Sequence, residues 1–297
     1  MPRLPRFFSP RPFPCKEALV TGAGRGLGRA FANALLAEGV TVWGTTRGGT
    51  PLPDGVRPLT LDLAEPASVA ALARQLRRDA PALDLLVNNA GAGVFCPFER
   101  FPEAELERQW RVLLASPVAL CRAFFPDFAR RGRGVIANVS SLAGVFPFPL
   151  MSAYSAAKAG LSAFSKTLLL EARGTGVRVI DFQPGDYATG FNDALTEPPA
   201  AATGAGADDG DNTSGTGGEV IAFDAGRVRR VRAAAERNLT GGPPPEHAAR
   251  NLIRAIRGGR EGTVVTGGVF EATLGPFAAR FAPQSLVARF LRAFYDL

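Results

Sequence analysis

The sequence has a single histidine, three widely spaced cysteines and no uninterrupted run of 18 apolar residues. With one histidine, neither a multi-histidine metal centre nor a histidine-centred triad is expected, and we interpret His247 as a solvated residue near a helix start. An odd number of separated cysteines is typical of a reduced, cytoplasmic protein and does not indicate a disulfide framework. Because no apolar run is long enough, no membrane-spanning helix is predicted.

Lysine is also scarce, since the chain has 31 arginines but only three lysines, Lys16, Lys158 and Lys166. Arginine therefore carries the formal net charge of +7. Its scattered distribution favours solvated faces and affinity for small anions over binding to nucleic acid. In so arginine-rich a chain, the lysine of the segment YSAAK (154–158) indicates a position where a guanidinium would not serve.

Strand-like and helix-like segments alternate along residues 17–192. This alternation predicts an α/β fold with a single doubly wound parallel sheet and helices on both faces. Only residues 47–55 separate the second and third predicted strands, so we expect a loop there in place of a crossover helix.

The remaining segments differ in composition from this core. Residues 1–16 are basic and proline-rich, which predicts an irregular arm, with a transit peptide as the alternative. Residues 17–297 are expected to form one domain, interrupted at about 197–218 by a low-complexity insertion rich in glycine, alanine and aspartate. Apolar residues at helical spacing predict an amphipathic helical tail at about 277–297.

The segment TGAGRGLG (21–28) lies between the first predicted strand and the first predicted helix. Its glycines, Gly22, Gly26 and Gly28, allow a sharp turn and a close approach of the backbone to a phosphate. The start of the following helix would present free N–H groups and a partial positive charge to that anion. This position after the first strand predicts a dinucleotide-binding site.

Four motifs occur in order: TGxxxGxG, NNAG at 88–91, a serine thirteen residues before YxxxK, and a PG pair after the sixth strand. In these motifs the chain resembles the short-chain dehydrogenase/reductase family over about residues 17–192, and more weakly over 246–270. The resemblance implies a Rossmann-like fold and hydride transfer between a nicotinamide and a carbonyl or secondary alcohol carbon. It also implies a small-molecule partner, a homo-dimer or homo-tetramer, and cofactor contacts from Gly22, Arg25, Gly26, Leu27, Gly28, Arg47, Asp62, Leu63, Asn89, Ala90, Gly91, Tyr154, Lys158, Pro184, Gly185 and Thr189.

The end of the second predicted strand bears on the choice of cofactor. An acidic side chain there would accept hydrogen bonds from a ribose 2′-OH, but this chain has Thr46 followed by Arg47. Arg25 in the glycine-rich loop adds a second guanidinium, and guanidinium groups suit a phosphate. We therefore expect NADP(H) in preference to NAD(H), and no metal.

Tyr154 and Lys158 are four residues apart, which places them on one face of a helix. A phenol titrates near pH 10, so it needs help to exchange protons at neutrality, and we expect the ammonium of Lys158 to lower its pKa. The family resemblance implies that Ser141 holds the substrate oxygen while Tyr154 acts as general acid or base.

One residue departs from the family pattern. Leu113 occupies the position of an asparagine that supports a proton-carrying water in the family, and Ser116 follows it. Either Ser116 or a backbone carbonyl holds that water, or the proton relay is impaired. The last alternative would favour a dinucleotide-binding regulatory protein, or a weakly active one, over an efficient oxidoreductase.

Aromatic and apolar residues near the motifs suggest a hydrophobic substrate. Phe95, Phe148 and Met151, with Ser141, are the candidate substrate contacts, although aromatic side chains also commonly fill cores. The C-terminal tail has three possible roles: covering this pocket, pairing with another subunit, or contacting a membrane surface.

Overall fold

A computed structural model describes residues 12–189, 225–268 and 281–295. The predicted insertion at 197–218, residues 1–11 of the predicted arm and the first residues of the predicted tail lie outside the described residues.

The described strands form one seven-stranded sheet in the order β3-β2-β1-β4-β5-β6-β7, and every pairing is parallel. This confirms the predicted Rossmann-like α/β fold. The chain runs outward through β1 to β3 and then returns to pair β4 with β1, so the strand order reverses between β1 and β4. A crevice opens at such a reversal, beyond the carboxyl ends of the strands. The strands are β1 Glu17–Val20, β2 Thr41–Thr46, β3 Arg57–Thr60, β4 Leu85–Asn88, β5 Gly134–Val139, β6 Val177–Pro184 and β7 Gly262–Thr266.

Helices cover both faces of the sheet. α1 and α7 pack on one face with strand residues such as Val20 and Val87. α2, α4 and α5 pack on the other face with the alternate residues, such as Leu19 and Leu86. Both faces of these strands are buried, which explains why the strands are continuous apolar runs in the sequence. The helices are α1 Gly26–Ala37, α2 Pro66–Asp79, α3 Glu103–Trp110, α4 Ser116–Arg130, α5 Ser152–Glu171, α6 Ala225–Thr240, α7 Pro245–Arg257 and α8 Gln284–Phe294.

Glu103–Arg130 forms one long helix that contains a π-helical turn at Arg111–Ala115. By length and composition alone, Glu103–Arg130 is also the one stretch among the described residues that would suffice to cross a membrane. Leu120, Phe124 and Phe128 are buried against the sheet, however, and core helices of globular proteins pass the same test.

One predicted loop is confirmed by the structure, and one helix was missed. No helix lies between β2 and β3, so the loop expected at 47–55 is confirmed. The helix α6 was not predicted, because its arginine-rich sequence was interpreted only as part of the scattered positive charge. Its apolar residues Val231, Ala234 and Ala235 are buried, and their spacing was the signal that would have identified it.

Candidate active site

A cavity of about 640 Å³ opens at the carboxyl ends of the strands, where the strand order reverses. It brings together segments that lie far apart in the chain. Every residue for which a cofactor contact was expected lines this cavity: Gly22, Arg25, Gly26, Leu27, Gly28, Arg47, Asp62, Leu63, Asn89, Ala90, Gly91, Tyr154, Lys158, Pro184, Gly185 and Thr189. Ser141, Phe148 and Met151 line it as well.

The glycine-rich turn holds the start of α1 against the end of β1. Gly22 adopts a φ of +68°, which favours glycine, and a Cβ on Gly28 would lie 2.1 Å from the carbonyl oxygen of Gly22. Arg25 is the N-cap residue of α1, and its side chain makes no capping hydrogen bond. The first N–H groups of α1 therefore have no side-chain cap, an arrangement that fits a dinucleotide phosphate.

Two threonines that we did not single out hold this turn in place. Thr21 Oγ1 accepts hydrogen bonds from the N–H groups of Asn89 and Ala90 at 2.9 and 3.0 Å. The Asn89 side chain donates in return to the carbonyl of Thr21 at 2.9 Å. Thr45 Oγ1 accepts from the N–H of Gly22 at 3.1 Å. Thr21 is the first residue of the TGxxxGxG motif, whereas the only signal for Thr45 was a hydroxyl near the end of a predicted strand.

The basic side chains near the turn border the same cavity. Arg25 and Arg47 line it together with Thr46, whose hydroxyl accepts a hydrogen bond from the N–H of Gly48 at 3.3 Å. The end of β2 thus presents a hydroxyl and a guanidinium, and no carboxylate.

The three residues expected to carry the proton chemistry lie at the other end of the cavity. Ser141 follows β5 and makes a hydrogen bond with Tyr154 on α5. Its Oγ also accepts from the N–H of Ala143 at 3.0 Å, which fixes the serine rotamer. One turn after Tyr154, Lys158 donates to the carbonyl of Val139 at 2.7 Å, and its Nζ lies 5.6 Å from the centre of the Tyr154 ring.

Burial controls the titration of both groups on α5. It raises the pKa of Tyr154 to about 12, because a phenolate is poorly solvated there, and the hydrogen bond with Ser141 only partly opposes this. The effect that we expected from Lys158 does not outweigh this burial, so the pKa of Tyr154 lies above its usual value. Burial also lowers the pKa of Lys158 to about 8, against the opposing charge of Asp181. At neutral pH the phenol keeps its proton and the lysine is mainly an ammonium.

Leu113 lies fully buried in the π-helical turn, beside the lysine. A Cβ on Gly91 would lie 2.8 Å from Leu113 Cδ2 and 3.8 Å from Lys158 Nζ, so both side chains border Gly91. Ser116 donates its hydroxyl proton to the carbonyl of Leu63 at 2.6 Å and links α4 to the loop after β3. Pro117, which follows Ser116, has no N–H to donate within the helix.

Only two of the three apolar residues expected to contact the substrate line the cavity. Phe148 and Met151 line it, whereas Phe95 does not and is buried in an apolar cluster with Leu150 and Met151. For Phe95 the core-packing interpretation is therefore the correct one. The tail joins the same cluster, because Tyr295 is buried with its ring centre 4.8 Å from that of Phe148. This position favours a role in covering the pocket.

His247 is hydrogen-bonded, which corrects our interpretation of it as a solvated residue. Its Nδ1 lies 3.1 Å from the hydroxyl of Tyr187, which in turn lies 2.6 Å from Thr266 Oγ1. Asn251 also donates to that threonine, at 2.7 Å. Tyr187 is buried two residues after Gly185, so this network supports the segment that closes one side of the cavity.

Comparison with known proteins agrees with this geometry. A model of the short chain dehydrogenase family matches residues 16–200. The chain is 35% identical over 175 residues to a 3-ketodihydrosphingosine reductase of Bacteroides thetaiotaomicron, covering 59% of this chain and 65% of that protein. It is 33% identical over 195 residues to an NADPH-dependent 1-acyldihydroxyacetone phosphate reductase of Saccharomyces cerevisiae, covering 62% and 65%. The matches thus span about 65% of the length of these two relatives.

Two other comparisons extend the match. The chain is 33% identical to a 3-oxoacyl-(acyl-carrier-protein) reductase of Escherichia coli, covering 64% of this chain and 80% of that protein. A short-chain dehydrogenase structure from Streptomyces avermitilis superposes with a TM-score of 0.73 at 25% identity, covering 94% and 97% of the two chains. A metagenomic short-chain oxidoreductase in complex with NADP gives 0.53 at 34% identity, covering 58% and 82%. With its glycine-rich turn, its Ser141, Tyr154 and Lys158 set, and its parallel sheet, this chain belongs to the short-chain dehydrogenase/reductase family of oxidoreductases.

Proposed function

We propose that the protein is an NADP(H)-dependent reductase that converts the carbonyl group of a hydrophobic substrate to a secondary alcohol. The observation that carries this proposal is a single cavity with two different ends. One end has the uncapped start of α1 beside Arg25 and Arg47, and the other has a protonated phenol beside a serine hydroxyl and a buried ammonium.

The chain's own residues would divide the proton chemistry among them. Bound NADPH supplies the hydride that the carbonyl carbon receives. Ser141 donates a hydrogen bond to the carbonyl oxygen, where negative charge develops. Tyr154 transfers its phenolic proton to that oxygen, which completes the alcohol. The ammonium of Lys158 stabilises the phenolate that remains until a proton returns from solvent.

The protonation states favour reduction over oxidation at neutral pH. A phenol whose pKa lies at about 12 carries its proton at neutral pH, as the acid of a reduction must, whereas alcohol oxidation would need a phenolate. The pKa of Lys158 at about 8 sets the upper limit of the range in which its charge is available.

We therefore expect kcat for reduction to change little between about pH 6 and 7 and to fall as the pH rises through about 8. The sign follows because the pKa of Lys158 is lowered, so the ammonium is present below that pH and lost above it. The measurement is kcat at saturating NADPH and ketone over the range in which the fold is intact by circular dichroism. A profile that stays flat well above that pH would contradict this role for Lys158.

Arg47 and Arg25 support the choice of NADP(H). A guanidinium forms paired, charge-assisted hydrogen bonds with a phosphate, and Thr46 in place of an acid removes the group that would repel it. The yeast relative named as NADPH-dependent and the NADP-bound metagenomic oxidoreductase are consistent with this preference.

Phe148 and Met151 form an apolar wall of the cavity, and Tyr295 packs against Phe148 in the cluster behind it, which supports a hydrophobic substrate. The three reductases in the comparison are likewise named for substrates with a keto, oxo or acyl group. A ketone attached to an alkyl or acyl chain is the substrate class that best fits this wall.

Removing the Tyr295 ring of the C-terminal tail, which packs against Phe148, tests the substrate class. We expect Tyr295→Ala to raise KM for a long-chain ketone about 10-fold, since a buried aromatic contact is lost. KM for NADPH should not change. Phe290→Ala is the control, because this phenylalanine lies on the same helix and is 46% exposed. An equal effect of both variants would contradict a specific role for Tyr295.

The deciding experiment is oxidation of NADPH and NADH by the purified chain over a panel of short and long aldehydes and ketones. Loss of NADPH that depends on the carbonyl compound is the expected result. If NADPH binds but no carbonyl is reduced, the chain is better described as a dinucleotide-binding regulatory protein, which Leu113 in place of asparagine would favour. Activity with NADH alone would keep the reductase and refute the proposed role of the two arginines.

A further inference from the structure

A buried carboxylate, Asp181 of β6, lies beneath the candidate active site. It is only 1% exposed and is not among the residues that line the cavity. Its Oδ1 accepts a hydrogen bond from Ser140 Oγ, and its Oδ2 accepts from Ser162 Oγ at 2.7 Å and from Gln183 Nε2 at 2.8 Å. Thr263 of β7 contributes a longer hydrogen bond of 3.4 Å.

The partners of Asp181 are next to the residues that carry the proposed chemistry. Ser140 immediately precedes Ser141, and Ser162 is one helical turn after Lys158 on α5. Gln183 immediately precedes the pair Pro184 and Gly185. One side chain therefore connects the three segments that form the catalytic end of the cavity.

The donors around Asp181 are neutral, so they complete its hydrogen bonds without neutralising its charge. A buried charge is costly unless an opposite charge compensates it. Lys158 is also buried, and the negative charge of Asp181 acts on it to favour the ammonium. Ser162, which donates to Asp181, is one helical turn after Lys158, so the hydrogen bonds of Asp181 place its charge close to the lysine.

Other groups around the lysine act differently. Val139 of β5 offers a carbonyl, Leu113 of the π-helical turn offers only apolar surface, and Tyr154 remains a neutral phenol. Asp186, which follows β6, acts electrostatically on Tyr154.

We propose that Asp181 is a positioning residue that keeps the buried Lys158 in its ammonium form and holds Ser141, Lys158 and the Pro184–Gly185 segment in register. Its effect on the lysine is a property of the folded chain alone. Its consequence for turnover rests on the proposed reductase function.

The small number of lysines allows a direct test without substrate. Protein labelled with 13C at lysine Cε should give three resonances, assigned with Lys16→Arg and Lys166→Arg. We expect Asp181→Asn to lower the titration midpoint of Lys158 by about one pH unit, the effect of removing a nearby opposite charge. The midpoints of Lys16 and Lys166 should not move. Ser162→Ala, which removes a hydrogen bond but keeps the carboxylate, should leave the Lys158 midpoint within about 0.3 units.

Folding stability provides a second test if Asp181→Asn proves hard to fold. The substitution should destabilise the chain more when Lys158 is present than in a Lys158→Met background, measured as a double-mutant cycle in urea. Equal destabilisation in the two backgrounds would overturn the proposal, and so would an unchanged Lys158 midpoint in a folded Asp181→Asn protein.

Kinetics then connect the two proposals. In Asp181→Asn, the fall of kcat at high pH should begin about one pH unit lower than in the wild type. A wild-type chain that reduces no carbonyl would refute the proposed function, while the titration of Lys158 would still decide the role of Asp181. An active Asp181→Asn with an unshifted profile would refute the role of Asp181 alone.

Discussion

Replacing Tyr154 by phenylalanine is expected to lower kcat for carbonyl reduction about 1,000-fold, which is within the range for loss of a general acid. The change removes only the phenolic oxygen. The ring stays in its apolar surroundings, and Ser141 can still donate to the substrate oxygen, so residual activity should come from hydride transfer without a positioned acid. The dissociation constant for NADPH, measured by fluorescence titration, should change by less than about three-fold, since its phosphate contacts lie at the other end of the cavity.

A second of the chain's three tyrosines provides a matched control for this substitution. Tyr295→Phe removes the same oxygen from a buried ring in the apolar cluster, and its kcat should remain close to that of the wild type. Retention of activity by Tyr154→Phe would assign the proton to another group. Equal losses in the two variants would indicate a general disturbance of the pocket.

The double change Thr46→Asp/Arg47→Ala is expected to lower the ratio of kcat/KM for NADPH to that for NADH about 1,000-fold. Removing the guanidinium loses a charge-assisted contact with the 2′-phosphate, and the new carboxylate repels that phosphate while accepting a hydrogen bond from a 2′-OH. Each effect corresponds to roughly 10- to 100-fold in affinity. The measurement is initial rates with both cofactors at one fixed ketone concentration.

Arg57→Ala controls for the general loss of positive charge. Its guanidinium lies over the Trp43 ring, 5.0 Å from the ring centre, and the residue does not line the cavity. The cofactor ratio of this variant should be unchanged. If the ratio also stays constant in the double variant, Arg47 does not contact the phosphate and Arg25 becomes the residue to replace.

Much of the fold was predictable because local patterns repeat along the chain. The central strands β1, β4 and β5 were anticipated from runs of apolar residues, since both of their faces are buried. The glycine-rich turn was recognisable because a positive φ at Gly22 and the contact at Gly28 restrict these positions to glycine. The π-helical turn at 111–115 and the helix α6 were not anticipated, because the first leaves no clear trace in residue spacing and the second has an arginine-rich surface.

The sequence by itself determined the family, the order of the strands, and the expected cofactor contacts that line the cavity, because these depend on motifs and periodicity within short segments. Only the tertiary structure decided the titration of Tyr154 and Lys158, the burial of Asp181 and the partner of His247. Each of these depends on how much water and which charges surround a side chain. Segments distant in the chain supply those surroundings, so spacing along the sequence carries no record of them.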